Sequence, residues 1–162
     1  MTELERIADQ YQRAFNGEAW HGPSVLSLLE GVTAVEAASH PIRGAHSIWE
    51  LTLHIAAWEN AIARRLAGDR AQLSDAEAWP PVTNISNEAW TSTIQTLIAN
   101  HQGLLTAISQ ISPTDFDRPI IEDPQQPFSS VYVTLHGGVQ HDLYHAGQIA
   151  LLKKALDAAA SS

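Results

Sequence analysis

The feature of this sequence that most constrains its fold is a set of four long segments in which apolar residues recur every three or four positions. The segments cover approximately residues 2–17, 47–68, 86–113 and 129–159. This spacing places the apolar side chains of each segment on one face of an α-helix. We find no internal repeat and no strand pattern long enough to compete with the helices. Four such helices joined by long loops predict an all-α, four-helix bundle.

Capping signals mark the ends of several predicted helices. Thr2 and Ser47 are each followed three residues later by a glutamate, Glu5 and Glu50 respectively. This is the pattern of a capping box, in which each side chain binds the backbone N–H of the other residue. Pro113 ends the third segment, because the residue before a proline avoids helical geometry.

Three long connections separate the predicted helices. Residues 18–45 contain two prolines and three glycines, which predicts broken helical turns. Residues 69–83 are polar and include a Pro-Pro pair, which suits an excursion between helices better than a linker between domains. A proline-containing loop at residues 114–128 precedes the last helix. Since 162 residues fit one hydrophobic core, we predict a single domain over residues 1–162.

Composition and charge narrow the possible partners. The chain has 9 Lys and Arg against 18 Asp and Glu, a net charge of −9, and no basic run that suits a phosphate backbone. We therefore expect no nucleic-acid partner. No window approaches the roughly 20 apolar residues of a membrane span, and the N-terminus is acidic where a signal peptide is basic. We expect a cytoplasmic protein with no membrane partner.

The histidine pair His141 and His145 is the strongest chemical signal. On a helix, residues four apart share one face, so both imidazoles can reach the same metal ion. The chain has no cysteine, so any metal must be held by nitrogen or oxygen ligands. By spacing alone, a metal site and an ordinary pair of surface or core histidines are about equally good readings.

A firmly held ion needs a third ligand, for which His54 is the best candidate. It lies in the middle of the second helix among apolar residues, where an unpaired imidazole is costly to bury. Catalytic metal sites typically use three protein ligands and keep one position open. The alternative is a core histidine that is hydrogen-bonded to a backbone carbonyl.

Two glycines and one glutamine share the helix face of His141. Gly137 and Gly138 leave space for a cavity beside the histidines or for close contact between helices, at a cost in helix stability. Gln148 is placed to hydrogen-bond a ligand histidine or a metal-bound water, or to cap a buried carbonyl.

Four further residues lie near the predicted ligands, and the sequence allows more than one role for them. Trp58 lies one turn after His54 and is a candidate for the lining of a substrate pocket. Glu50 lies one turn before His54 and is a candidate general base, although the capping box explains it equally. Asp142 and Tyr144 point off the ligand face, where they either orient a neighbour or face solvent.

Three stretches of the sequence together resemble the DinB/YfiT-like superfamily. They are GAHSIWE at residues 44–50, LHIAAWE at residues 53–59 and QHDLYHAGQI at residues 140–149. Proteins of that superfamily are four-helix bundles of about this length, and they bind a divalent ion through one histidine of the second helix and two of the fourth. The resemblance therefore implies a metal site at His54, His141 and His145. It also implies a homodimer.

The reaction is less constrained than the site. Relatives implied by this resemblance include metal-dependent hydrolases and enzymes that transfer low-molecular-weight thiols to small-molecule substrates. We therefore carry three hypotheses: a hydrolase that uses a metal and water, a transferase that uses an external thiol, and a non-catalytic, stress-associated metal-binding protein. Three imidazoles suit one zinc or nickel ion best, with iron or cobalt as alternatives. The sequence does not choose the metal or the substrate.

Overall fold

The computed structural model describes residues 1–69, 72–120 and 129–160. Within them it contains seven α-helices, one 3₁₀ turn at Pro113–Asp115 and no strand. The helices are α1 (Glu3–Phe15), α2 (Val25–Leu29), α3 (Ala34–Ala38), α4 (Ile48–Leu66), α5 (Asp75–Ala78), α6 (Asn87–Ser109) and α7 (Val131–Ala160). The all-α prediction is confirmed, and the four long helices α1, α4, α6 and α7 correspond to the four periodic segments. Most of the last predicted loop, residues 121–128, lies outside the described residues.

Capping boxes begin four of these helices. The boxes at Thr2 and Ser47 form as the sequence predicts, with the side chain and backbone bonds both present. Two more occur at Thr33, which begins α3, and at Ser74, which begins α5. Helix α5 is a single turn inside the stretch that we expected to be an excursion between helices. Its capping box holds that turn, and the turn carries a carbonyl group that reaches the histidine site.

The long helices bury two clusters of apolar side chains. α4 packs against α6 and α7, and α1 packs across α6 and α7 on the other side of the bundle. The short helices α2 and α3 cover one end, where Val25 and Ala37 are fully buried. Because α4 and α7 lie side by side, histidines on their facing surfaces can meet. Among the described residues, no helix has the length and apolar character needed to cross a membrane.

Candidate metal centre

The structure brings His54 of α4 together with His141 and His145 of α7. The Nε2 atom of His141 lies 3.1 Å from Nε2 of His54 and 3.2 Å from Nε2 of His145. These three residues are the one group of metal-ligating side chains that converges within the described part of the chain. His54 and His145 are buried, and His141 is partly exposed.

The outer nitrogens of two of these rings are already hydrogen-bonded. The Nδ1–H group of His54 donates to the backbone carbonyl of Ala78 at 2.6 Å. The Nδ1–H group of His145 donates to the Oε1 atom of Gln148 at 2.8 Å. A neutral imidazole carries one N–H, so the Nε2 atoms of His54 and His145 both present lone pairs to the centre. Such an outer acceptor is the usual support of a metal-ligating histidine, because it fixes the tautomer and the ring orientation.

The imidazole lone pairs that converge at this centre show whether a cation fits there. His141 can carry at most one proton on Nε2, so it can satisfy only one of the other two rings. The remaining nitrogen then faces another acceptor at hydrogen-bond distance, which is unfavourable without a positive charge between them. The two distances from His141, 3.1 Å and 3.2 Å, match the edges of a tetrahedral site whose metal–nitrogen distances are about 2.0–2.1 Å, and all three ligand nitrogens lie within 4.8 Å of one another. The donor set therefore fits a zinc-like divalent ion.

Burial keeps the imidazoles of His54 and His145 neutral. The pKa of His54 is lowered from 6.5 to about 4, chiefly by burial and also by the neighbouring His141 and His145, against the opposing effect of the Ala78 carbonyl. Burial also lowers the pKa of His145. A neutral imidazole is the form that binds metal, so both rings are ready ligands at neutral pH.

Two tryptophan rings line the centre formed by the three histidines. The ring of Trp79 stacks on that of His54, with centroids 3.7 Å apart, and His46 stacks on Trp79 at 3.8 Å. Trp58 meets His54 and His141 edge-on, at 6.3 Å and 6.0 Å. The sequence analysis singled out only Trp58. Trp79 follows the short helix α5 in a loop, so no helical spacing related it to the histidines.

Gln148 and Glu50, the two predicted catalytic candidates, occupy different surroundings. Gln148 supports His145 through the hydrogen bond described above. The Oε2 atom of Glu50 accepts the Ser47 N–H of the capping box at 2.8 Å and lies within 3.3 Å of ring nitrogens of His40 and His46. Although partial burial raises the pKa of Glu50, these hydrogen bonds outweigh it and leave the pKa lowered. That makes Glu50 a weak base, and its proposed catalytic role stays a prediction.

The two adjacent glycines of α7 serve different purposes. An added Cβ at Gly137 meets nothing, whereas one at Gly138 would overlap the hydroxyl of Tyr11 and lie 3.0 Å from Ile62 Cδ1. Gly138 therefore allows close packing of α1 against α7. Both glycines also line a cavity of about 200 Å³ with Trp58 and His141. From the sequence, the two glycines indicated either a cavity or close contact between helices. The structure has both features at these positions.

Beside His141 lies a buried polar cluster that the sequence analysis did not assemble. Asp142 is buried, with Oδ1 3.6 Å from Nδ1 of His141, so it does not face solvent as Tyr144 does. Glu59 Oε1 lies 2.7 Å from Nδ1 of His101, and burial, reinforced by the charge of Asp142, raises the pKa of Glu59. Burial likewise lowers the pKa of His101 to about 4. These side chains come from α4, α6 and α7, so no spacing within one helix could relate them.

One comparison with known proteins matches this chain. The family described as the DinB superfamily matches residues 19–149, which include all three converging histidines and more than half of the sequence. Comparisons with curated proteins and with solved structures gave no match.

Proposed function

Since the chain belongs to the DinB superfamily, we propose that it is a metal-dependent hydrolase in which His54, His141 and His145 hold one divalent ion, zinc or nickel. The observation that carries this proposal is that the Nε2 atoms of His54 and His145 lie 3.1 Å and 3.2 Å from that of His141, with two of the rings oriented by outer acceptors. Each of these nitrogens faces another imidazole nitrogen, and a metal ion is the partner that satisfies all three at once.

Different residues of the chain have different roles at such a site. A bound ion with three neutral ligands keeps its full charge, polarises a carbonyl group and brings the pKa of a bound water to about 7. Ala78 and Gln148 hold two of the rings in the ligating tautomer. Trp79 covers one face of His54 and keeps water from that side. Hydrolysis adds the hydroxyl group of water to the carbonyl carbon and its proton to the leaving group.

The cavity beside the histidines suits a small substrate. The cavity beside His141 holds about 200 Å³, which is below the ~300–1,000 Å³ of pockets that take drug-sized ligands. Hydrolysis needs only water as its second reactant, whereas transfer also needs an external thiol.

The test is turnover by zinc-loaded and nickel-loaded protein on a panel of small activated esters and amides, with and without an added low-molecular-weight thiol. We expect hydrolysis that does not depend on the thiol, that is lost in His54→Ala, and that is kept in His136→Ala. His136 is a matched control because it lies on α7 yet takes no part in the convergence. Turnover only with thiol would instead indicate a transferase. Full metal loading without turnover across the panel would indicate a metal-binding protein without catalysis.

We further propose a cytoplasmic homodimer that acts on a small molecule. Support for the dimer comes from α7, on which the side chains of Tyr144 and Leu151 are 66% and 59% exposed. They are seven residues apart and therefore lie on one helix face. Light scattering should give twice the 17.6 kDa of one chain. A mass of one chain across a tenfold range of concentration would contradict the dimer.

A further inference from the structure

The three converging histidines differ in what lies behind each ring. His54 and His145 have uncharged acceptors there, a backbone carbonyl and a side-chain amide. Behind His141 lies a carboxylate, with Oδ1 of Asp142 3.6 Å from Nδ1 of the ring, within ion-pair distance although slightly longer than a hydrogen bond. We propose that Asp142 positions His141 as a metal ligand and that the buried carboxyl group of Glu59 holds Asp142 in place. This inference rests on the proposed function, because it assigns two further residues to the same metal site.

A negative charge behind the ring of His141 decides which of its nitrogens carries the proton. A neutral imidazole has one N–H, and the carboxylate of Asp142 attracts that proton to Nδ1, the nitrogen that faces it. Asp142 is 2% exposed, so water weakens this attraction little. The Nε2 atom of His141 then keeps its lone pair, 3.1 Å and 3.2 Å from the Nε2 atoms of the other two histidines. All three rings thus present a lone pair to the centre.

The carboxyl groups of Asp142 and Glu59 share one proton. As two carboxylates, they would leave Oδ2 of Asp142 and Oε2 of Glu59 buried with no donor among the described residues. The two groups lie within hydrogen-bond reach of each other, so one proton between them removes this cost. Burial raises the pKa of both groups, but their hydrogen bond raises that of Glu59 further and lowers that of Asp142. Glu59 is therefore the acid that donates, and Asp142 is the carboxylate.

His101 of α6 fixes the direction in which Glu59 donates. Nδ1 of His101 lies 2.7 Å from Oε1 of Glu59, and the imidazole stacks on Phe15 with ring centroids 3.7 Å apart. The other nitrogen, Nε2, has no hydrogen-bond partner among the described residues. The proton of this ring therefore lies on Nδ1, where it can be donated to Oε1. The acid proton of Glu59 is then on Oε2, which is free to donate to Asp142.

A carboxylate behind one ligand also changes the charge balance of the centre. A divalent ion bound by three neutral imidazoles is a buried charge with no negative partner among its ligands. Asp142 supplies one negative charge without occupying a coordination position, so a position for water or substrate stays open. We therefore expect zinc affinity to depend on the charge of Asp142 as well as on its shape.

Zinc affinity, measured by competition with a chelating dye, tests the role of Asp142. Asp142→Ala should bind zinc about 10–100-fold more weakly than wild type, the usual effect of removing an outer support of a ligand histidine. Asp142→Asn keeps the shape but not the charge and should also bind at least about threefold more weakly. Asp157→Asn removes a negative charge at an exposed position of the same helix and should bind zinc like wild type.

Nitrogen NMR of the histidine rings in chelated protein separates positioning from a merely structural role. In wild type, His141 should carry its proton on Nδ1. In Asp142→Ala the proton should move to Nε2, where it can be donated to Nε2 of His54 at 3.1 Å. The rings of His54 and His145 should keep their protons on Nδ1 in both proteins. The wild-type measurement needs no variant, so it tests the inference even if Asp142→Ala does not fold.

Two variants of Glu59 test whether it acts as a hydrogen-bond donor. Glu59→Gln keeps a donor for Asp142 and should bind zinc within about threefold of wild type, whereas Glu59→Leu has none and should bind at least about tenfold more weakly. Wild-type His141 with its proton on Nε2, unchanged zinc affinity in both Asp142 variants, or equal losses in the two Glu59 variants overturns the inference. Wild-type protein that binds no zinc contradicts the proposed metal site itself, so the two failures are distinguishable.

Discussion

At the residue scale, the ring of His145 shows how one hydrogen bond prepares a ligand. Its Nδ1–H group donates to Gln148 at 2.8 Å, and its Nε2 atom faces His141 at 3.2 Å. Burial lowers its pKa, so the ring stays neutral and cannot offer a second N–H. The ring is thereby held in the tautomer that binds metal before any ion arrives.

Replacement of Gln148 by methionine should therefore weaken zinc binding by about 10–100-fold, the usual effect of removing an outer support of a ligand histidine. The helix should persist, since methionine is a good helix former. Zinc affinity is measured by competition with a chelating dye. Gln140→Met, at an exposed position of the same helix, is the control and should bind zinc like wild type. Equal affinity in both variants would show that Gln148 does not support the ligand.

The parts of the site that could be predicted from sequence lie within single helices. His141 and His145 are four residues apart on α7, so their shared face follows from helical geometry. The contact of Glu59 with His101 joins residues 42 positions apart and depends on how α4 meets α6. Trp79 and the carbonyl of Ala78 reach His54 only because the α5 turn folds back onto α4. Such contacts depend on how the helices pack against one another. The spacing of apolar residues along one helix gives no information about that packing.

At the scale of the elements, periodicity and capping predicted the long helices closely. Helix α4 was expected to start at Ser47 and stop near Gly68, and it spans Ile48–Leu66. The short helix α5 was missed, although Ser74 and Glu77 have the spacing of a capping box. A single turn has too few residues to show a helical period in the sequence. Because so short a helix is not stable by itself, the turn is held by its cap and by packing on the site.

The contact of α1 with α7 can be tested through Gly138. Gly138→Ala should destabilise the protein by about 1–3 kcal/mol, because its Cβ would overlap the Tyr11 hydroxyl in a packed core. Gly137→Ala should instead be neutral or stabilising by up to about 1 kcal/mol, since its Cβ meets nothing. Urea denaturation measures both free energies of unfolding.

A Tyr11→Phe background supplies the check on this prediction. The Tyr11 hydroxyl has no hydrogen-bond partner among the described residues, so its removal alone should cost little. In that background part of the Gly138→Ala penalty should disappear, and part should remain because the ring Cζ of residue 11 still lies 2.9 Å from the added Cβ. An unchanged penalty would mean that the clash lies elsewhere, for example with Ile62.

At the scale of the whole molecule, the metal should stabilise the fold without being required for it. The bundle buries apolar side chains from every long helix, so the helices can pack without an ion. Zinc at 100 times its dissociation constant adds about 2.7 kcal/mol by mass action. For a chain of this size that corresponds to a rise in Tm of roughly 5–10 °C. Circular dichroism of chelated protein should show a helical protein that melts lower; a random-coil spectrum at room temperature would contradict this.

The central claim is that three histidines from two helices hold one divalent ion, and metal content after equilibrium dialysis against zinc tests it most directly. Elemental analysis should find close to one zinc per chain in wild type and in the control His136→Ala. At the same free zinc concentration, His54→Ala, His141→Ala and His145→Ala should each retain far less, because removing one ligand leaves a two-histidine site. Wild-type protein without zinc, or a variant lacking all three histidines that still holds one zinc per chain, would contradict the account.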